Sequence, residues 1–324
     1  MNSAWRTWSA TVIAGLFVLA VSAYAWPQSP TDGDDFQVTL LGTGSPLPVM
    51  NRFGPGVLVQ AGGQTLLFDC GRGITQRLFQ LGVKLGAANK LFITHLHSDH
   101  IVGIPDLLLT GWLETPFAQR KGALQVFGPA GTGNMMENLE KAYEWDIRTR
   151  IADQKLTKEN VAVSVTEIKE GVVYDRDGVK VTAFEVDHGD LIKPAFGFRI
   201  DYGGRSAVLS GDTRVSENLI RNATGTDLLI HSVAAVRPEL LALPVFQVIL
   251  AHHTKPEEAG VVFTRTKPKL AVFSHFVLLN TPKVTAMTEQ EVVELTRKNY
   301  SGPLLVGEDL MVLRVGREGV SVKK

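Results

Sequence analysis

The 324-residue sequence has only one cysteine, Cys70, and no surplus of charge of either sign. A single cysteine excludes an intrachain disulfide and a thiolate zinc site, so any metal must be held by histidine and carboxylate side chains. Lys and Arg together number 33, as do Asp and Glu, which gives a net charge of zero. Proteins that bind nucleic acid usually carry a basic surplus, so this composition argues against a nucleic acid partner.

Long apolar runs are also absent, and the run near the N-terminus covers only residues 11–21. This run follows Arg6 and precedes Ala23-Tyr24-Ala25, which has small residues at the two positions that a signal peptidase reads. The pattern predicts a signal peptide over residues 1–25, a flexible lead-in over 26–35, and a periplasmic or secreted mature protein. An uncleaved anchor is the alternative, but the run is short against the ~20 residues that a membrane span needs. We therefore expect no membrane association after cleavage.

Beyond the lead-in the sequence contains no internal repeat and no stretch typical of an interdomain linker. Short runs rich in β-forming residues, such as "FQVTLLG" and "FGFRIDY", predict strands separated by glycine-rich turns. With 44% hydrophobic residues the chain can bury a large core, and we expect one α/β domain over residues 36–324. Apolar residues at helical spacing predict helices over residues 72–81, 132–150 and 287–299.

Three of the eight histidines and an aspartate lie together in "HLHSDH", directly after the apolar run "LFIT". In an extended or tightly turned segment, His95 and His97 can point to the same side and bind one ion. Asp99 and His100 follow the turn and can reach a second ion. Zinc accepts such nitrogen and oxygen ligands at about 2.0–2.2 Å. The alternative is a polar loop before a helix, capped by Ser98 or Asp99, but four ligand-type residues in six positions favour a metal site.

This motif resembles the signature of the metallo-β-lactamase superfamily. Three further segments, "LLGTGSP", "LFDCGRG" and "SGDTR", are similar to the ribonuclease Z and arylsulfatase-like branch and occur in the same order along the chain. The resemblance implies an α/β fold of the four-layer αββα sandwich type in a single domain. It also implies a centre of two Zn²⁺ ions, with Mn²⁺ or Fe²⁺ as alternatives, and a homodimer, since relatives often form one.

The resemblance also assigns the ligands, position by position. It implies that two histidines of the motif and one from a later strand bind the first ion, and that the second ion is bound by the rest of the motif and a histidine near the C-terminal end. A shared carboxylate would bridge the two ions and offset their repulsion. The implied ligands are His95, His97 and His188 for the first ion, Asp99, His100 and His275 for the second, and Asp212 for both.

His252 and His253 lie directly before a predicted helix and have different expected roles. Thr254 is predicted to cap this helix with Glu257 in a capping box, which places His253 just before the helix. By resemblance His253 assists at the transition state or the leaving group, whereas His252 is expected to be structural.

Ser232 follows His231 where relatives have a glutamate, so proton delivery is expected to differ, and His231 is not expected to be catalytic.

Several other positions have an expected role, and some of them admit two interpretations. Asp99 can orient the nucleophile and accept its proton. Asp69 either orients a ligand histidine, as the resemblance implies, or caps a turn. Trp112 and Phe117 either wall the pocket or belong to the core, and Cys70 is expected to be a buried small side chain rather than a nucleophile.

The predicted activity is that of a binuclear zinc hydrolase, which cleaves phosphodiester or sulfate (aryl) esters by a metal-bridging hydroxide. Ribonuclease Z enzymes carry a tRNA-binding arm before the "SGDT" segment, but here only nine residues separate Ile200 from Ser210. The missing arm favours a small-molecule ester. Three alternatives remain: hydrolysis of cyclic amides or esters, as in β-lactamases and lactonases, a ribonuclease Z-like 3′-tRNA endonuclease, and a metal-binding scaffold without catalysis.

Overall fold

Two β-sheets face each other through apolar surfaces at the centre of the fold. The structure is a computed structural model that describes residues 35–323, so the predicted signal peptide and residues 26–34 of the lead-in lie outside the described part. The strands in chain order are β1 (Phe36–Gly42), β2 (Gly56–Ala61), β3 (Gln64–Phe68), β4 (Lys90–Phe92), β5 (Leu124–Gly128), β6 (Val163–Glu167), β7 (Gly171–Arg176), β8 (Val179–Glu185), β9 (Phe196–Tyr202), β10 (Arg205–Leu209), β11 (Leu228–Val236), β12 (Leu270–Leu279), β13 (Leu304–Val306), β14 (Met311–Val315) and β15 (Val320–Lys323).

The first sheet has eight strands in the order β15-β14-β1-β2-β3-β4-β5-β6, and the second has seven in the order β13-β12-β11-β10-β9-β8-β7. Helices cover the outer face of each sheet. They are α1 (Ile74–Gln80), α2 (Ser98–Ile101), α3 (Ile104–Gly111), α4 (Thr132–Ala142), α5 (Glu144–Gln154), α6 (Lys158–Val161), α7 (Glu217–Ala223), α8 (Pro244–Leu250), α9 (Pro256–Thr266) and α10 (Glu289–Arg297).

Alternation of side chains along the strands builds three apolar layers. In β3, Leu66 and Phe68 point into the core between the sheets, whereas Leu67 points to the helices of the first sheet. In β12, Val272 enters the central core, and Phe273 packs on the helices of the second sheet. Each such fully buried side chain stabilises the fold by about 1.5–3 kcal/mol. The prediction of a single-domain αββα sandwich is confirmed, and no described helix has the length and apolarity to cross a membrane.

The helix predicted over residues 132–150 is in fact two helices. The backbone of Tyr143, at φ −106° and ψ 13°, interrupts the helical hydrogen bonding between α4 and α5. Glu144 and Asp146 then lie in the first turn of α5, where the helix dipole stabilises acidic side chains. The apolar spacing persists across the break, which is why the sequence alone indicated one continuous helix.

The helix predicted to begin at Thr254 begins one residue later than expected. Lys255 is the N-cap of α9, and the Glu258 side chain accepts the backbone N–H of Lys255 at 2.9 Å. The Thr254 hydroxyl instead donates to the carbonyl of Thr213 at 2.7 Å, which ties α9 to the loop after β10. The predicted capping box with Glu257 is therefore wrong by one residue, because a tertiary contact uses the threonine.

Candidate metal centre

Loops and strand segments of both sheets meet at one end of the sandwich. β4 leads into the "HLHSDH" motif, and the first turn of α2 contains Asp99 and His100. The loops after β8 and β10 contribute His188 and Asp212. The apolar run "KLAVFSH" predicts a strand that ends at His275, but His275 lies inside β12. All seven predicted ligands are thereby brought together.

Two glycines of the family-like motifs allow the chain segments to approach this closely. Gly211, directly before Asp212, has φ 60°, and a Cβ at that position would lie 2.5 Å from the carbonyl oxygen of Phe196. A Cβ at Gly71 would lie 2.4 Å from the carbonyl oxygen of Asp99. Both distances are too short for any other residue type, so the glycines in "SGD" and "CGRG" set the positions of two predicted ligands.

The first donor group consists of three imidazole nitrogens. His97 Nδ1 lies 3.0 Å from His95 Nε2 and 3.3 Å from His188 Nε2. Four tetrahedral ligands at about 2.05 Å from a zinc ion are about 3.3 Å apart, so these nitrogens have the spacing of ligands around one ion. The donor set and its spacing therefore fit a divalent metal.

The second donor group combines histidines with carboxylates. His275 Nε2 lies 3.2 Å from both His100 Nε2 and Asp99 Oδ2. Asp212 Oδ2 lies 3.3 Å from His275 Nε2, 3.5 Å from His100 Nε2 and 3.9 Å from His188 Nε2, so this carboxylate stands between the two groups. Its other oxygen, Oδ1, is buried and has no hydrogen-bond partner among the described residues. A carboxylate in this position fits a ligand shared by two ions.

Burial and charge set the protonation of the centre. Burial lowers the pKa of His95 well below its usual value and lowers the pKa of His188 to about 4, which leaves both rings neutral, with a lone pair available for a metal. Burial alone would lower the pKa of His100, but the carboxylates of Asp212 and Asp69 outweigh it and raise that pKa well above the usual value. Burial alone would raise the pKa of Asp212, but the histidines beside it hold it well below the ordinary range. This part of the centre thus attracts a cation, and a metal ion can replace the proton.

Neighbouring oxygens orient two of the rings. Asp69 Oδ2 lies 2.7 Å from His100 Nδ1, and the backbone N–H and the hydroxyl of Thr94 donate to the same carboxylate. His188 Nδ1 lies 2.9 Å from the carbonyl oxygen of His252. In both rings the Nδ1 proton is held by an oxygen, which leaves Nε2 free to bind a metal. Asp69 therefore contacts the predicted ligand His100, which agrees with the interpretation that it orients a ligand histidine.

A cleft of about 660 Å³ opens above the donor groups. His253 lines it beside the centre, with Nδ1 at 4.0 Å from Asp212 Oδ2, and burial lowers the pKa of His253 to about 3. Apolar walls rise on two sides, from the segment after β1 and from α8. The lining residues used below are Leu47, Val49, Arg52, Phe246, His252 and Glu289.

Several sequence interpretations are decided by burial. Trp112 is fully buried in the layer between the first sheet and its helices, and Phe117 packs against that layer, so neither walls the cleft. His231 is fully buried against the ring of Phe263 and lies outside the cleft. Cys70 is buried, and burial raises the pKa of its thiol, which leaves it unreactive.

Sequence reasoning missed the cleft residues Arg52, Phe246 and Glu289, and it assigned His252 only a structural role. His252 lines the cleft next to the first donor group, in addition to orienting His188 through its carbonyl. Its position directly before His253 was the one available signal. Arg52 Nε donates to Glu289 Oε1 at 3.0 Å, although the two residues are 237 positions apart. No local sequence pattern predicts such a contact.

Comparisons with known proteins agree with this geometry. Residues 36–240 match the family described as Anti-Pycsar protein Apyc1. The chain is similar to the Ribonuclease Z of Mycolicibacterium gilvum (strain PYR-GCK), with 38% identity over 89% of this chain and 98% of that protein. It is similar in fold to the metallo-β-lactamase fold protein YhfI from Bacillus subtilis, with a TM-score of 0.65, 19% identity, and coverage of 86% of this chain and 98% of that one. For the short form of human tRNase Z the TM-score is 0.62 at 23% identity, over 85% of this chain and 98% of that one.

The prediction that nucleic acid is not a partner is wrong. The name of the mycobacterial relative specifies a ribonuclease, and that relative is matched over 98% of its length. The prediction used the net charge of zero, which is a property of the whole chain. Net charge does not measure how strongly one cleft attracts phosphate, because a bound metal centre would supply positive charge that the amino-acid count omits.

Proposed function

Because the chain belongs to the Anti-Pycsar protein Apyc1 family and to the ribonuclease Z relatives among metallo-β-lactamase-fold hydrolases, we propose that it hydrolyses phosphodiester bonds in RNA at a two-metal centre. One observation carries the proposal. The Asp212 carboxylate stands between the two donor groups, with Oδ2 3.3 Å from His275 Nε2 and 3.9 Å from His188 Nε2, at the base of an open cleft. This arrangement suits an in-line displacement at phosphorus, in which the attacking and leaving oxygens both need stabilisation.

The ligands proposed for the centre are the seven residues that the structure brings together. Zn²⁺ suits this set of imidazole and carboxylate donors, with Mn²⁺ or Fe²⁺ as alternatives. Two such ions lower the pKa of a water nucleophile and stabilise the negative charge that develops on the phosphate. His95, His97 and His188 would hold one ion, Asp99, His100 and His275 the other, and Asp212 both.

Two residues of the cleft are proposed to act on the reacting groups. Asp99, whose Oδ2 lies 3.2 Å from His275 Nε2, can also orient the attacking water and accept its proton. Burial keeps the His253 ring neutral, since its pKa is lowered to about 3. A neutral imidazole can donate one hydrogen bond, and His253 would donate it to the leaving oxygen as negative charge develops there.

This chain has no long tRNA-binding arm between β9 and β10, so RNA would have to be held in another way. The arm that the resemblance places before the "SGDT" segment would interrupt β9 and β10, but these strands are joined here by the two-residue turn Gly203-Gly204. Both glycines have positive φ, at 56° and 75°, which is typical of a tight hairpin turn. We therefore propose that the walls of the cleft hold the RNA strand next to the scissile phosphate.

A substrate panel tests the proposal. Zinc-loaded and chelator-treated protein would be assayed on a tRNA precursor with a 3′ extension, bis-p-nitrophenyl phosphate, p-nitrophenyl sulfate, a lactone and a cephalosporin. We expect metal-dependent cleavage of the RNA and of the phosphate diester, with little turnover of the other three. Hydrolysis of the sulfate ester, the lactone or the cephalosporin with no cleavage of RNA would overturn the proposal. Full metal loading without hydrolysis of any substrate would also overturn it and would favour the scaffold alternative.

A further inference from the structure

His275 occupies an irregular position in an otherwise regular strand. Along the parallel pair β11 and β12, Ser232 pairs with Ser274, and Val233 pairs with Phe276, so His275 is an extra residue in β12. Its backbone has φ 45°, in the left-handed region that residues with a Cβ rarely adopt. Such a bulge redirects a side chain out of the strand pattern, and here it brings His275 Nε2 to Asp99 and His100. A ligand held in an unfavourable backbone conformation needs support from its surroundings.

The first support is a hydrogen bond from the other sheet. The backbone N–H of Phe276, directly after the bulge, donates to the carbonyl oxygen of Thr43 at 3.0 Å. Thr43 follows β1 and opens the segment 43–53, which forms one wall of the cleft. The position of the Thr43 peptide therefore affects both the bulge that carries His275 and the cleft wall.

A single carboxylate holds both ends of this segment. Asp309 Oδ1 accepts the backbone N–H of Thr43 at 2.9 Å and the Thr43 hydroxyl at 2.8 Å. Asp309 Oδ2 accepts the backbone N–H of Phe53 at 2.7 Å and a guanidinium N–H of Arg77 at 2.7 Å. The Asp309 side chain is only 6% exposed, so these four donors replace the water that the carboxylate loses on burial.

Arg52 adds a second restraint on the same residues. Its guanidinium donates to the Thr43 hydroxyl and to the carbonyl oxygen of Gly307, the latter at 2.8 Å. The guanidinium carbon lies 4.4 Å from the centroid of the Phe276 ring, and Nε donates to Glu289 at 3.0 Å. Phe276 is thus restrained through its backbone by Thr43 and through its ring by Arg52.

We infer that Asp309 is a positioning residue for the metal ligand His275: it fixes Thr43, whose carbonyl holds the bulge, and it ties down the cleft segment 43–53. Asp309 lies outside both donor groups and outside the cleft lining. The inference rests on the proposed metal centre, and it predicts that only one of the two ions depends on Asp309. Loss of Asp309 weakens the ion held with His275, whereas the group formed by His95, His97 and His188 receives no support from this network.

The test compares Asp309→Asn with a matched buried aspartate. The Asp227 side chain is 8% exposed, accepts the backbone N–H of Ser206 at 2.7 Å and pairs with Lys269 at 2.8 Å. Asp227 precedes β11 at the N-terminal end of the parallel strands β10, β11 and β12, whereas Asp212 and His275 lie towards the other end. Zinc content would be measured after dialysis against graded chelator, together with thermal unfolding. We expect Asp309→Asn to keep one ion and to bind the other at least about 10-fold more weakly. Asp227→Asn should keep both ions, although its melting temperature falls.

Each outcome bears on one claim. Asp309→Asn that is folded and binds both ions with wild-type affinity overturns the inference, and so does an equal loss of both ions. If this variant fails to fold, Thr43→Ala decides the question, because it removes the hydroxyl contacts and keeps the backbone bonds. It should weaken the same ion to a smaller extent, and unchanged affinity for that ion would overturn the inference. A wild-type protein that binds fewer than two ions would instead contradict the proposed metal centre itself.

Discussion

Asp69→Asn is a substitution that changes one atom of the candidate centre and almost nothing else. Asp69 has φ 57°, a conformation that asparagine tolerates as well as aspartate does. The two side chains have the same shape. The carboxylate accepts the backbone N–H of Thr94 through Oδ1 at 2.8 Å and contacts His100 Nδ1 through Oδ2 at 2.7 Å.

The substitution is expected to change which nitrogen of His100 carries the proton. If the oxygen of the introduced amide still accepts the hydrogen bond from the Thr94 backbone N–H, the amide NH₂ must face His100 Nδ1. Two donors cannot share this contact, so His100 would move its proton to Nε2. That nitrogen lies 3.2 Å from His275 Nε2 and 3.5 Å from Asp212 Oδ2, where a metal would have to bind. Loss of such an orienting partner typically weakens metal binding 10–100-fold, or about 1.4–2.7 kcal/mol.

Competition with a chromophoric chelator measures this loss directly. Asp106→Asn is a suitable control, since Asp106 accepts hydrogen bonds from the hydroxyls of Thr75 and Thr110 and contacts no histidine. We expect Asp69→Asn to lose affinity for the ion bound with His100, and Asp106→Asn to retain it. Wild-type affinity for both ions in a folded Asp69→Asn protein would refute the reasoning, because the orienting contact would then have no effect on the ligand.

Four further predictions test the centre and the fold. Asp212→Ala is expected to release one ion and to lower turnover at least about 100-fold, and metal analysis that finds both ions would contradict the shared-ligand role. His253→Ala is expected to keep both ions but to lower kcat about 100-fold, so an unchanged kcat would remove this residue from the mechanism. Arg120→Met should lower the free energy of unfolding by about 3 kcal/mol, since the buried guanidinium donates to three backbone carbonyls, and an unchanged urea midpoint would speak against this. Burial lowers the pKa of His231 to about 4, against 6.5 for an exposed histidine, so the unfolded chain takes up the proton first as the pH falls. Between pH 6.5 and 4, His231 should therefore cost the wild type up to about 3 kcal/mol of stability that His231→Phe does not lose, and parallel pH profiles in urea unfolding would exclude this.

The part of the centre that is contiguous in sequence was the easiest to predict. Four ligand-type residues within six positions indicated a metal site without any structural knowledge. His188, Asp212 and His275 have no such local signal, because each comes from a separate strand or loop, and only the fold brings them to the same end of the sandwich. Their assignment depended on the family resemblance, and the structure places all three next to the early motif.

The contacts that support the centre could not be predicted in the same way. Thr43 and Asp309 are 266 positions apart, and Arg52 and Glu289 are 237 apart. A buried aspartate and a salt bridge of this kind have no periodicity and no motif of their own. The bulge at His275 is similar, since the apolar run "KLAVFSH" indicates a strand that ends at the histidine, whereas β12 continues to Leu279. The pairing of β12 with β11 extends the strand, and sequence periodicity does not report pairing.

The specificity of this protein must come from the walls above the centre rather than from the centre itself. The same donor set serves phosphate, sulfate and amide hydrolysis in principle, so it does not discriminate among them. Apolar side chains line the cleft on two sides, with Leu47 (53% exposed) and Val49 (37% exposed) on one side, and Phe246 and Ile249 of α8 on the other. Among them, Phe246 offers an aromatic face on which a base can stack, and stacking on aromatic side chains tolerates many sequences. The proposed RNA strand would therefore be held by base contacts at these walls and by its scissile phosphate at the metal centre, and binding of this kind does not require a basic surplus in the whole chain.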